Sequence, residues 1–224
     1  MEKERMAMID TIIFDFDGTI IDTNFIIERG LNLFSRAYRG TRLSPKELEQ
    51  LTGRPLFDQM AAIQPHRAEE MTDRFRKWYA QRHDELTQAF NGMDELFEDL
   101  RQLDFKLAIV TNNSREGVQM GLEHLGMNHL FQAVITCDDV LEKKPSPEGV
   151  HLALKLLNAR PEEAIFIGDS SGDLIASRRA GVVNVLVGWS SIKRELLLTH
   201  QPDFIIEHPL ELLEVVSLME QQIA

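Results

Sequence analysis

Two aspartates at the end of an apolar segment are the residues whose chemistry stands out. Asp15 and Asp17 follow the run TIIF at 11–14, and Gly18 comes directly after them. Successive side chains of a strand point to opposite faces, so the two carboxylates begin on the same face. At an effective dielectric constant of about 20, two carboxylates about 4 Å apart repel by roughly 4 kcal/mol. The pair therefore predicts a cation nearby.

Polar side chains also follow later apolar segments. Thr111 and Asn112 come after the second segment, and Lys144 lies in a loop after the third. Asp169 follows the fourth segment, and Asp173 comes about one helical turn later. Because the carboxyl ends of parallel strands share one edge of a sheet, where ligands bind, we expect these residues to form one site.

The acids at this edge predict a magnesium site. Clustered carboxylates must either take up protons or bind a cation. Their oxygen-only ligand set favours Mg²⁺, which binds through one or two carboxylates together with a substrate phosphate. No His or Cys accompanies them in the sequence, so zinc is not expected. The predicted metal residues are Asp15, Asp17, Asp169 and Asp173.

A phosphate bound at this edge needs a further positive charge and hydrogen-bond donors. Lys144 is the candidate for the charge. Thr111 and Asn112 can bind phosphate oxygens, together with backbone N–H groups at the start of the next helix. Arg54 stands in a turn, where it can reach a second anionic group of the substrate or equally be a surface arginine.

Six short apolar runs predict buried parallel strands, because the runs are nearly continuous rather than alternating. They are Thr11–Asp15, Lys106–Thr111, Ala133–Thr136, Ala164–Gly168, Val182–Val187 and Asp203–Ile206. Helices are predicted between them, at Met93–Leu103, Arg115–Leu125, Glu148–Leu157, Leu174–Ala180, Ile192–His200 and Leu210–Gln222. This alternation predicts an α/β fold with a parallel sheet covered on both faces.

A helical insertion interrupts the alternation directly after the first strand. No strand is predicted from about Phe25 to Phe90, where turn signals separate segments rich in helix-forming residues. One helix should begin at Ser44, with Pro45 in its first position and Glu47 closing a capping box. We therefore predict a discontinuous core domain, 1–18 and 91–224, and an α-helical cap domain, 19–90.

The overall composition narrows the class of partner. The net charge of −12 argues against nucleic acids and anionic membrane surfaces, which need a basic face, but leaves a small phosphate ligand possible. The single Cys137 excludes a disulfide within the chain and favours a reducing cytoplasm. No apolar run approaches the length of a membrane span. We expect a cytoplasmic protein that is a monomer or a homodimer.

The four polar segments resemble the motifs of the haloacid dehalogenase superfamily. They correspond to Asp15-x-Asp17-Gly18-Thr19, Thr111, Lys144 and Gly168-Asp169-Ser-x-x-Asp173. The resemblance covers the core, implies a Rossmann-like parallel sheet, and makes the insertion similar to that superfamily's helical cap.

The resemblance implies a two-step phosphoryl transfer. Asp15 would attack phosphorus and form an aspartyl-phosphate, while Asp17 would protonate the leaving oxygen and then deprotonate water. Mg²⁺ would be held by Asp15, Asp169 and the backbone carbonyl of Asp17. Lys144 would stabilise charge on the phosphoryl group.

The same resemblance assigns supporting roles to other motif residues. Thr111 would join Lys144 at the phosphoryl group, and Gly18 and Asn112 would belong to the phosphate site. Asp173 would orient either Lys144 or a water molecule beside the metal.

The substrate is left open. The nearest resemblance is to phosphoglycolate phosphatases and related bacterial pyrophosphatases, and the segments 22–24 and 53–58 are most similar to the pyrophosphatase type. The expected enzyme is therefore a Mg²⁺-dependent phosphatase for a small phosphomonoester or pyrophosphate. A sugar phosphomutase, a phospho-aspartate receiver switch and an inactive binding protein are the alternatives. Phe75, Trp78 and Tyr79 are interpreted as the apolar core of the cap.

Overall fold

A computed structural model describes residues 8–223 of the chain, and residues 1–7 and 224 of the predicted core lie outside the described part. The described residues form eight strands: β1 (Thr11–Phe14), β2 (Ile21–Asp22), β3 (Gln88–Ala89), β4 (Lys106–Val110), β5 (Ala133–Ile135), β6 (Ala164–Gly168), β7 (Val183–Val187) and β8 (Phe204–Ile206). All six predicted core strands are confirmed, with ends that shift by one residue or not at all.

The described residues form eleven α-helices. They are α1 (Asn24–Arg39), α2 (Pro45–Leu51), α3 (Leu56–Ile63), α4 (Ala68–Ala80), α5 (His83–Leu86), α6 (Met93–Gln102), α7 (Arg115–His124), α8 (Glu148–Leu157), α9 (Ser171–Arg179), α10 (Arg194–Leu198) and α11 (Glu211–Ile223). None of these helices within residues 8–223 is long and apolar enough to cross a membrane.

The central sheet has six parallel strands in the order β5-β4-β1-β6-β7-β8. Strand β1 lies between β4 and β6, where Ile13 is aligned with Ala108 on one side and with Phe166 on the other. Every residue of β1 and β6 is buried, as continuous apolar runs predict for strands covered on both faces. The predicted α/β class is therefore confirmed.

Helices cover both faces of this sheet. Helices α6, α7 and α11 pack on the face that carries Ile12 and Phe14, and helices α8 and α9 pack on the face that carries Ile13. Helix α9 begins three residues earlier than predicted, because Ser170 caps it and Asp173 closes a capping box. Helix α10 is shorter than its predicted range.

Helices α1 to α4 surround a separate apolar cluster, which includes Leu31, Met60 and Phe75. The predicted capping box of α2 is confirmed, since the Ser44 hydroxyl accepts from the Glu47 N–H and the Glu47 carboxylate accepts from the Ser44 N–H.

The prediction that no strand lies between about Phe25 and Phe90 is wrong for the last residues of that range. Strand β3 pairs antiparallel with β2, because the two chain segments that join the helical insertion to the sheet run side by side. The predicted domain limits stay a prediction.

Candidate active site

The predicted site residues meet at the carboxyl edge of three neighbouring strands. Asp15 follows β1, Thr111 follows β4, and Asp169 follows β6, while Asp173 lies in the first turn of α9. The charged residues of this group are buried: the exposed fractions of Asp15, Lys144, Asp169 and Asp173 are 7%, 8%, 4% and 0%. Buried charges at such a density require partners, so their contacts define what the site can do.

Lys144 joins two of the carboxylates. Its Nζ lies 2.8 Å from Asp15 Oδ1 and 2.5 Å from Asp173 Oδ1, and it also donates to the backbone carbonyl of Val110. Burial by itself lowers the pKa of Lys144, but the charges of Asp15 and Asp173 outweigh burial and raise that pKa. Lys144 is therefore a fixed positive charge at the centre of the site.

The carboxyl groups of Asp15 and Asp169 are harder to ionise than in water. Burial, followed by the charge of Asp173, raises the pKa of Asp15 to about 7 despite the Lys144 ammonium. Burial and the charges of Asp173 and Asp15 raise the pKa of Asp169 well above its usual value. One ammonium therefore does not balance the three acids, and a second cation would favour their ionised forms.

The geometry of these acids fits a metal ion. Asp15, Asp169 and Asp173 each place one carboxylate oxygen within 4.8 Å of the others. Although Lys144 is close, the buried Oδ1 of Asp15 receives no well-aligned hydrogen bond from the described residues. Gly18 makes room for Asp169, because a Cβ at Gly18 would stand 2.4 Å from Asp169 Oδ2 and its φ is +82°. A carboxylate donor set of this kind suits a hard dication.

Both carboxylate oxygens of Asp173 have hydrogen-bond partners. While Oδ1 faces Lys144, Oδ2 accepts hydrogen bonds from the backbone N–H and the hydroxyl of Ser170, at 2.9 and 2.7 Å. These contacts fix Asp173 between the start of α9 and the lysine, and its role in orienting Lys144 or a water molecule stays a prediction.

The carboxylate of Asp17 does not belong to the group of closely spaced oxygens that Asp15, Asp169 and Asp173 form among the described residues. Its two oxygens accept hydrogen bonds from the Thr23 hydroxyl at 2.9 Å and from Asn113 Nδ2 at 2.8 Å. Burial raises the pKa of Asp17, and these two hydrogen bonds partly offset that effect. Asp15 and Asp17 are thus neighbours with different surroundings, one against a lysine and one against two neutral donors. Different environments can give two carboxyl groups different protonation roles.

The side chain of Asn112 is committed to the lysine loop. Its Oδ1 accepts from the backbone N–H of Lys144 at 2.9 Å, and its Nδ2 donates to the Lys144 carbonyl at 3.1 Å. The same Nδ2 lies 3.4 Å from the carbonyl of Gly53 in the turn between α2 and α3. The Asn112 amide therefore holds the lysine loop against this turn, which leaves the backbone of Asn112 as its means of binding phosphate. Thr111 is buried beside it, and its hydroxyl accepts from the Asn113 N–H.

A cavity of about 500 Å³ opens from these residues towards the helical insertion. Arg54 lines it from the turn between α2 and α3 and is exposed. That turn approaches the sheet closely: Gly53 has a φ of +75°, and a Cβ there would stand 3.0 Å from Ser170 Cβ. Arg54 is thus placed next to the site, and its contact with a substrate stays a prediction.

Three residues of this site were not predicted as site residues from the sequence. Thr23 and Asn113 hold Asp17, and Tyr79 lines the cavity although it was interpreted as cap core. Asn113 directly follows two predicted site residues, so its position was a usable signal. Nothing in the sequence marked Tyr79 apart from its aromatic neighbours.

Clustered aspartates and a lysine lie at the carboxyl edge of a parallel sheet and face a helical insertion, an arrangement that can bind a dication together with a phosphate. The chain belongs to the haloacid dehalogenase-like hydrolase family, whose model matches residues 12–187. The resemblance inferred from the motifs is confirmed, and the protein is a phosphatase-type enzyme of this family.

One relative by sequence and two solved structures show what this chain is similar to. Pyrophosphatase PpaX of Anoxybacillus flavithermus is 37% identical over 211 residues, which cover 94% of this chain and 98% of the relative. A predicted phosphoglycolate phosphatase from Haemophilus somnus 129PT has a similar structure, with a TM-score of 0.82 and 20% identity. The match covers 92% of this chain and 97% of that one. The β-phosphoglucomutase of Clostridium difficile also has a TM-score of 0.82, with 22% identity. The match covers 96% of this chain and 98% of that one. At these identities the two structures bear on the fold alone.

Proposed function

We propose that the protein is a Mg²⁺-dependent phosphatase that hydrolyses a small phosphomonoester or pyrophosphate through an aspartyl-phosphate on Asp15. The contrast between the surroundings of Asp15 and Asp17 carries this proposal. Asp15 lies against Lys144 and among acids that can share a dication, so it can act as an anion. Asp17 lies against neutral donors with a raised pKa, so it can exchange a proton.

The metal would be held by Asp15 and Asp169, together with the backbone carbonyl of Asp17. When bound, Mg²⁺ supplies positive charge that stabilises both the ionised nucleophile and the oxygens of the phosphoryl group. Asp173, a predicted metal residue, is already committed to Lys144 and to Ser170. We therefore infer that Asp173 acts through Lys144.

The two chemical steps follow from these positions. In the first, an Asp15 oxygen forms a bond to phosphorus while the bond from phosphorus to the leaving oxygen breaks, and Asp17 gives its proton to that oxygen. In the second, Asp17 takes a proton from water as the water oxygen bonds to phosphorus, and Asp15 is released as a carboxylate. Lys144 and Thr111 stabilise charge on the phosphoryl oxygens, with help from the backbone at Gly18 and Asn112.

The cap, predicted at 19–90, would close the site and select the leaving group. Arg54 would contact a second anionic group, such as the leaving phosphate of pyrophosphate. The name of the PpaX relative favours pyrophosphate. A sugar phosphomutase is the second candidate, since a mutase shares the fold.

The proposal is tested by phosphate release from 4-nitrophenyl phosphate and from pyrophosphate, with and without Mg²⁺. We expect Mg²⁺-dependent release that Asp15→Asn abolishes, and a loss of roughly 10² to 10⁴-fold for Asp17→Asn. Asp73→Asn, on the exposed side of α4, is the matched control and should keep full activity. Isomerised sugar phosphate in place of free phosphate would favour the mutase. If no phosphate is released and a stable phospho-aspartate forms, the receiver switch is favoured. If no phosphate is released and no phospho-aspartate forms, the binding protein is favoured.

A further inference from the structure

The cavity above the catalytic residues has one wall that phosphate chemistry does not explain. Ile27 from α1, Leu48 from α2, Leu56 from α3 and Tyr79 from α4 all line it. Each is only partly buried and packs on the apolar cluster of helices α1 to α4. The apolar interior of the helical insertion is therefore open towards the site on this side.

The lining of the cavity as a whole is not cationic. Five basic residues and six carboxylic acids line the cavity as a whole. Lys144 is occupied by Asp15 and Asp173, and Lys193 is paired with Glu49 at 3.2 Å. A second phosphate group placed against these four apolar side chains, away from Arg54, would exchange its hydration for contacts with alkyl and aromatic carbon, which costs free energy. An organic leaving group would gain from the same contacts.

Tyr79 contributes its aromatic ring to this wall, because its hydroxyl is not exposed to the cavity. The hydroxyl oxygen is buried, and the side chain of Thr87 lies next to it. The wall therefore offers a leaving group contacts with alkyl and aromatic carbon.

The geometry points to a leaving-group subsite formed by Ile27, Leu48, Leu56 and Tyr79, which takes the apolar body of an alcohol or phenol. The preferred substrate is then an organic phosphomonoester with a hydrophobic leaving group, in preference to pyrophosphate or phosphoglycolate. This inference rests on the proposed function, since it names the substrate class of the same site. The cavity volume, about 500 Å³, lies within the range usual for small organic ligands.

The test uses a series of unbranched alkyl phosphates, from methyl to butyl. Their leaving alcohols have similar acidity, so chain length changes binding far more than intrinsic reactivity. Each buried methylene is worth roughly fourfold, and we expect kcat/KM for phosphate release to rise at least roughly tenfold along the series. Ile27→Thr should reduce the ratio of butyl to methyl turnover. Leu33→Thr, on an exposed position of the same helix, is the matched control and should leave that ratio unchanged.

A binding measurement makes the test independent of turnover. Butylphosphonate should bind the Mg²⁺-loaded protein more tightly than methylphosphonate by calorimetry, and Ile27→Thr should narrow the difference. Thermal unfolding of both variants checks that they are folded. A flat or falling alkyl series, or a higher kcat/KM for pyrophosphate than for butyl phosphate, overturns the subsite and leaves the phosphatase standing. Chain-length-dependent phosphonate binding with no phosphate release from any substrate would reject the phosphatase and keep the subsite.

Discussion

Replacing the nucleophile should make the metal-free protein more stable at neutral pH. Asp15 is buried among other acids, and its pKa is raised to about 7, whereas an unfolded aspartate titrates near 3.9. A carboxyl group with a raised pKa in the folded state contributes most to stability below the unfolded pKa. That contribution is lost as the pH rises from about 4 through about 7. Asn in place of Asp15 keeps the neutral form at every pH and so avoids the loss.

The magnitude follows from the difference between the two pKa values. With values of about 7 and about 3.9, the free energy lost on ionisation is less than about 1 kcal/mol at pH 4 and roughly 4 kcal/mol at pH 8. The Asp15→Asn variant should therefore exceed the parent in unfolding free energy by up to about 4 kcal/mol at pH 8. At pH 4 the two proteins should be nearly equal.

Urea unfolding in the presence of a chelator, at pH 4, 6 and 8, measures this difference. Asp73→Asn, an exposed carboxylate on α4, is the control and should change stability by no more than about 0.5 kcal/mol at any of these pH values. Saturating Mg²⁺ should reverse the order at pH 8, because the ion binds the folded parent through the carboxylate that the variant lacks. Equal stability of parent and variant at pH 8 without metal, or a difference independent of pH, would refute the reasoning.

Three further predictions concern residues that support the site. Gly18→Ala places a Cβ 2.4 Å from Asp169 Oδ2 at a φ of +82°. It should destabilise the protein by about 1–2 kcal/mol and weaken Mg²⁺ binding by calorimetry; unchanged Mg²⁺ affinity would contradict the proposed metal site. Asp173→Asn replaces the charged acceptor of two Ser170 hydrogen bonds while Lys144 keeps Asp15 as a partner, so it should cost about 1–3 kcal/mol in urea unfolding, with a fall in kcat. Ser44→Ala removes the capping box that Ser44 forms with Glu47, and neither residue lines the cavity, so Tm should reflect a loss of about 1 kcal/mol while kcat stays unchanged.

Much of the sheet could be predicted from the sequence because buried parallel strands are continuous apolar runs. The runs at 11–15, 106–111 and 164–168 end one residue from, or at, the observed strand ends. The short strand β3 was missed. A strand of two residues is too short to show a hydrophobic pattern in the sequence. Gln88–Ala89 is a strand only because Ile21–Asp22 lies beside it.

The sequence by itself determined which acids and which lysine meet, because parallel strands bring their carboxyl ends to one edge regardless of the loops between them. Only the tertiary structure decided what each side chain faces there. Asn113 lies 96 residues from Asp17 in the chain, and Asn112 turned out to hold the backbone of Lys144. The apolar wall of the cavity comes from four helices, and packing alone sets which of their apolar side chains are turned inward and which line the site. Side-chain direction depends on contacts between distant segments, and a local pattern does not contain that information.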